Sequence, residues 1–124
     1  MSATFSPCRN YRYLLSRRLC DPESNNISHC VFIGLNPSTA DETVDDPTIR
    51  RCMGFARSWG FGWLVMLNLF AFRSTDPRAL KTAHDPVGQD NDAFLRTYTK
   101  NAGIIIAAWA RTENSTVEKR RCGR

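Results

Sequence analysis

A chain of 124 residues, 42% of them apolar and with a formal net charge of +5 at pH 7, is sized for one domain with a modest core. Its composition excludes a disordered chain, and its longest uninterrupted apolar stretch, Gly103 to Ala110, is far too short to cross a bilayer. The five cysteines include no C-x-x-C spacing, which argues against a zinc site or a disulfide framework.

The opening Met1-Ser2-Ala3-Thr4-Phe5-Ser6-Pro7 has no basic region followed by an apolar block, so a cytoplasmic location is expected. The charge is uneven. Residues 111–124 hold five basic and two acidic side chains, whereas residues 1–110 hold twelve and ten. The body is therefore nearly balanced, and the excess is read as a basic, disordered tail beyond a single domain ending at residue 110.

Residues 1–10 read as a loose lead-in. Tyr11-Arg12-Tyr13-Leu14-Leu15, continued by Arg17-Arg18-Leu19, has the aromatic character of an edge strand or hairpin. A polar turn starting at Pro22 follows. Residues 30–35, Cys-Val-Phe-Ile-Gly-Leu, are apolar at nearly every position, as in a parallel strand covered on both faces. The strand stops at Asn36-Pro37, because proline has no N–H for a ladder. Asp46-Pro47 then carries the N-cap and first-turn signature of a helix running to about Trp59, and Gly60 and Gly62 end it. Residues 63–69 form a second buried strand, residues 70–75 its loop, and Asp76-Pro77 opens a short helix to about Thr82. A third helix spans residues 88–101 and a third buried strand residues 103–109.

Strand, helix, strand, helix, strand implies parallel strands joined by right-handed crossovers. The expected fold is α/β, a three-layer sandwich with a mostly parallel central sheet. Asn36, Asn68 and Trp109 then converge at the strand C-termini, where open α/β sheets bind ligands. Each candidate there has two readings. Asn36 either contacts a ligand or caps its own loop. Ser38 and Thr39 either bind a phosphate or close that loop. Asn68 either touches a ligand or satisfies buried backbone. Phe70 and Phe72 either stack on a base or pack over the sheet edge, and Arg73 is placed to meet a phosphate. Asp46 reads as a helix cap. Asp41, Glu42 and Asp45 are weak candidates for Mg²⁺ beside a phosphate and otherwise form a solvated loop. His29 and His84 stand near no Ser or Cys in a catalytic spacing, so no nucleophile is assigned.

The strings GLNPSTAD (34–41), VDDPTIRRC (44–52), SWGFG (58–62), LNLFAFRSTDP (67–77) and DPVG (85–88) closely resemble the family "domain of unknown function 1643" from Tyr11 to Trp109. That family in turn resembles the uracil-DNA glycosylase superfamily. Gly34-Leu35-Asn36-Pro37 is similar to the first-strand motif of the mismatch-specific branch, Asn68 to a base-reading Asn, and Trp109-Ala110 to a Trp-Gly strand end. The resemblance implies that Asn36 positions a catalytic water and that Asn68 reads a pyrimidine edge, with Gly34 and Pro37 shaping the site. It implies no metal and no cofactor, and a nucleotide or nucleic acid as the partner. The superfamily's His-Pro motif is absent, and residues 111–124 do not look like the related family. A truncated or frame-shifted C-terminus and impaired catalysis are therefore expected. The function expected from these features is nucleobase, nucleotide or nucleic-acid binding in a cleft at the strand C-termini, with glycosylase-like hydrolysis as the alternative and metal-dependent phosphoryl transfer on the acidic loop as a third reading.

Overall fold

The protein was analysed as a computed structural model that describes residues 2–76 and 78–109. In chain order the elements are strands β1 (Ser2–Phe5), β2 (Arg12–Arg18) and β3 (His29–Gly34), helix α1 (Pro47–Ser58), strand β4 (Trp63–Asn68), helices α2 (Ala79–Thr82) and α3 (Asn91–Thr99), and strand β5 (Ile104–Ala107). One five-stranded sheet holds all the strands in the order β1-β2-β4-β3-β5. The expected division at residue 110, and the reading of the tail, lie outside the described residues.

The three buried strands read from the sequence are adjacent and parallel. β3 is hydrogen-bonded on one side to β4 and on the other to β5. Its side chains alternate between two covered faces, which is why the run lacks polar positions. Cys30 and Phe32 join Leu64, Met66 and Ile106 beneath Ile49, Cys52 and Ala56 of α1. Val31 and Ile33 join Val65 and Leu67 beneath Phe94, Leu95 and Tyr98 of α3. Helices on both faces give the three layers.

α1 begins where its sequence signature places it. The Asp46 carboxylate accepts from the Ile49 N–H at 2.9 Å, and Pro47 takes the first helical position. The helix ends before Gly60, whose φ of 85° is a left-handed conformation that favours glycine.

Two expectations are corrected. The lead-in is not loose, because Ser2–Phe5 forms an edge strand antiparallel to β2. β2 is therefore internal, and it runs antiparallel to β4 as well. The sheet is mixed, with two antiparallel and two parallel pairings, rather than mostly parallel. Residues 2–18 contain no crossover helix, and a short reversal at residues 6–11 can join only antiparallel neighbours.

β2 also contains a bulge. Thr4 faces Leu14 and Phe5 faces Arg12, so Tyr13 is the extra residue. Tyr13 and Leu14 both turn to the α3 side, where Tyr13 stacks on Phe94 with ring centres 5.3 Å apart. Leu15 and Arg17 face the α1 side opposite Met66 and Leu64. The bulge brings Arg12 to that side too, next to the end of β4.

Arg12 and Arg17 are both buried. Arg17 has a complete partner set: the Asp45 carboxylate at 2.7 Å and the carbonyls of Ser2, Ser16, Asp41 and Val44. Removing one partner of a buried pair leaves an uncompensated charge. Asp45→Ala should therefore destabilise the fold by about 2–3 kcal/mol, read as a lower denaturant midpoint. A loss under about 0.5 kcal/mol, the size of an ordinary surface change, would contradict this account.

Candidate functional site

The C-terminal ends of β3, β4 and β5 are stitched together beyond the strands themselves. Leu69 and Phe70 donate to the carbonyls of Gly34 and Leu35 at 2.9 and 3.0 Å, and Ala108 donates to Ile33 at 2.7 Å. Between this edge and the first two turns of α1 lies a cleft of about 230 Å³. Gly34 and Asn36 come from the end of β3 and its loop, Asn68 from β4, Ile106 and Ala108 from β5 and its end, and Thr48, Arg51, Cys52 and Phe55 from one stripe of α1. Phe32 and Met66 complete an apolar floor.

Asn36 and Asn68 thus line one cleft. Asn36 is half-buried and anchors its loop: its Nδ2 donates to the carbonyls of Ser74 at 3.0 Å, Pro37 at 3.3 Å and Phe72 at 3.5 Å. Its Oδ1 receives no protein donor among the described residues. Asn68 is 2% exposed. Its Oδ1 accepts from Arg12 Nη2 at 3.4 Å, and its backbone carbonyl accepts from Asn91 Nδ2 at 2.9 Å. With Oδ1 taken, the Asn68 amide offers the cleft an N–H donor, and its Nδ2 has no acceptor among the described residues. Gly34 leaves room beside it, since a Cβ there would stand 3.0 Å from Asn68 Nδ2 and 2.9 Å from Met66 Cε and displace both side-chain ends.

Sequence reasoning missed Arg12 and Asn91. Arg12 is 2% exposed and donates also to the Ala40 carbonyl at 3.1 Å. Its Nε has no partner among the described residues. Burial pulls this guanidinium down to about 10, against the attraction of Asp46. The available signal was an arginine inside an aromatic strand. Asn91, buried at the start of α3, clamps the end of β4.

The remaining candidates are placed elsewhere. Phe70 and Phe72 do not line the cleft. Phe72 meets Tyr11 edge-to-face at 5.8 Å, and residues 71–73 run back along residues 10–12. Arg73 bonds the carbonyls of Ser38 and Arg9 and lies over the Phe5 ring at 4.7 Å. Pro37 is buried, and its carbonyl accepts from the Ser74 N–H. Ser38 and Thr39 lie on the loop outside the cleft lining, and Trp109 is 39% exposed beyond β5.

The acidic loop is occupied by its own protein. Asp41 receives the N–H groups of Thr43 and Val44, Glu42 forms a two-pronged pair with Arg9, Asp45 pairs with Arg17, and Asp46 caps α1. No group of three or more metal-ligating side chains occurs among the described residues.

These features define an α/β domain with a cleft at the strand ends of a mixed sheet. The chain belongs to DUF1643, a family described as proteins of unknown function, which matches residues 12–122. The match runs past Trp109, where the resemblance read from the sequence ends, and so corrects the expectation that the residues after 110 do not look like the family. No curated protein and no solved structure matches the chain. No helix among the described residues is long and apolar enough to cross a membrane.

The hydrogen bonds from Arg9 hold the Glu42 carboxyl down at about 2, from an ordinary 4.5. A carboxylate stabilised in the folded state supports folding fully above its unfolded pKa and loses that support as it protonates. The Arg9–Glu42 contribution should therefore be whole above pH 4.5, shrink as pH falls towards 2 and vanish below it. Because both partners are about half exposed, the effect is small and weakened by salt. Denaturant unfolding of the wild type and Glu42→Gln across this range should show two curves that differ at neutral pH and converge in acid.

Proposed function

We propose that this protein binds a nucleobase or nucleotide in the cleft at the strand C-termini, on a scaffold related to the uracil-DNA glycosylases. One observation carries the reading. Asn36 and Asn68, singled out from separate sequence motifs, meet in the same cleft. The Asn68 amide presents a donor in a buried setting, suited to a carbonyl or ring-nitrogen acceptor on a base edge. Phe55 and Phe32 supply flat apolar walls of the kind a base needs, in place of the expected Phe70 and Phe72. The phosphoryl-transfer reading of the acidic loop is not favoured, because Glu42 and Asp45 are engaged by Arg9 and Arg17 and Asp41 and Asp46 by backbone N–H groups.

Hydrolysis of an N-glycosidic bond is the second reading, favoured by the uncommitted Oδ1 of Asn36 at the cleft. That atom is available to orient a water at the sugar C1′. A base within duplex DNA would have to be flipped out to reach it. Binding is preferred because, among the described residues, no carboxylate or histidine lines the cleft to take the proton from that water.

Calorimetric titration with free bases, nucleosides and nucleotides tests the proposal. At least one base should bind, and Asn68→Ala should weaken it about tenfold, with near-ultraviolet circular dichroism verifying the fold. Failure of every base, nucleoside and nucleotide to bind would discard the reading. In parallel, base release from uracil- or mismatch-containing oligonucleotides, abolished by Asn36→Ala, would replace binding by catalysis.

A further inference from the structure

We propose that the mouth of the cleft is a phosphate subsite with Arg51 as its cation. The proposal rests on the nucleobase reading and names the second half of the ligand, a phosphate ester attached to the base-bearing sugar.

Arg73, the cation expected from the sequence, is unsuited to this role. Its guanidinium is engaged by the carbonyls of Ser38 and Arg9 and by the Phe5 ring, away from the cleft. Among the described residues, Arg51 is the arginine that lines the cleft. It is exposed and has no ion pair or hydrogen bond among the described residues.

The surroundings leave its charge uncompensated. The carboxylates of the preceding loop are drawn off: Glu42 by Arg9, Asp45 by Arg17, and Asp41 and Asp46 by backbone N–H groups. The charged residues of α1 itself are all arginines, namely Arg50, Arg51 and Arg57. Thr48, one turn before Arg51 and also on the cleft, adds an exposed hydroxyl.

Polarity along the cleft completes the argument. Inside, the buried Asn68 presents an N–H with no acceptor among the described residues. At the mouth stands an unpaired guanidinium, whose planar donors suit phosphate oxygens. A ring bearing hydrogen-bond acceptors, with an anion at its far end, matches both.

Two sources carry that chemistry: a mononucleotide and the backbone of a single strand. The test titrates the full chain with the four common nucleosides, their 5′-monophosphates, ribose 5-phosphate and a short single-stranded oligonucleotide. Wild type, Arg51→Gln and Arg73→Gln are compared. A bound monophosphate should exceed its nucleoside about tenfold in affinity. Arg51→Gln should erase that margin and leave the nucleoside's affinity unchanged, whereas Arg73→Gln should keep it. Dependence on Arg51 seen with the oligonucleotide alone would support the subsite and assign the phosphate to a strand.

Equal affinity for nucleoside and monophosphate, together with oligonucleotide binding indifferent to Arg51→Gln, would overturn the subsite and spare the base reading. Ribose 5-phosphate binding lost in Arg51→Gln, without any nucleoside binding, would keep the subsite and discard the base reading. No binding of any probe would overturn both.

Discussion

A guanidinium with no exposed surface must find partners for five N–H groups inside the protein. Arg17 finds them on three separate segments: the Ser2 carbonyl of β1, its neighbour Ser16 on β2, and the carbonyls of Asp41 and Val44 with the carboxylate of Asp45 on the loop before α1. This one side chain therefore fixes the edge strand and the acidic loop together. Asp46 adjoins the last of these partners and caps α1, so the position of the helix follows from the same anchor. The cleft lies between α1 and the sheet and inherits its width from that arrangement.

The second buried arginine acts on the other wall. The bulge at Tyr13 turns Arg12 towards Asn68, where its Nη2 occupies the amide oxygen. Asn91 holds the same strand end by its backbone, and Gly34 leaves room for the amide nitrogen. The Asn68 amide beneath the cleft is thus oriented by Arg12 and Asn91, neither of which lines it. Asn36 serves loop and cleft at once, with its nitrogen committed to three carbonyls and its oxygen free of donors among the described residues.

Much of this was legible in the sequence, for identifiable reasons. β3, β4 and β5 are covered on both faces, so their apolar runs are continuous and their ends sharp. Asp46-Pro47 specifies one terminus of α1 almost by itself. Knowing where those elements end was enough to bring Asn36 and Asn68 to one place. β1 was not legible, because a four-residue edge strand of Ser-Ala-Thr-Phe carries little pattern. Arg12 and Arg17 concealed the internal position of β2, since charge within a strand reads as solvent exposure, whereas here it marks buried bonds to a loop distant in sequence. Phe70, Phe72 and Arg73 were drawn towards the cleft by proximity to Asn68, but Ala71 turns the chain back along Tyr11 and Arg12. Arg51 was hidden for the opposite reason: among the three arginines of α1, nothing in the sequence separates the one that borders the cleft from Arg50 and Arg57.

The internal place of β3, between β4 and β5, has a consequence for how the chain is made. β3 is complete by residue 34, yet its hydrogen-bonding neighbours are residues 63–68 and 104–107. During synthesis, Cys30-Val31-Phe32-Ile33 emerges with both its edges open and waits for strands that lie up to seventy-odd residues further on. The earlier hairpin of β1 and β2 cannot shield it, because β2 borders β4 and not β3. A strand that ends up internal to the finished sheet is therefore the one that waits longest for its second edge to be paired on a nascent chain, open to pairing with another copy before its own partners arrive.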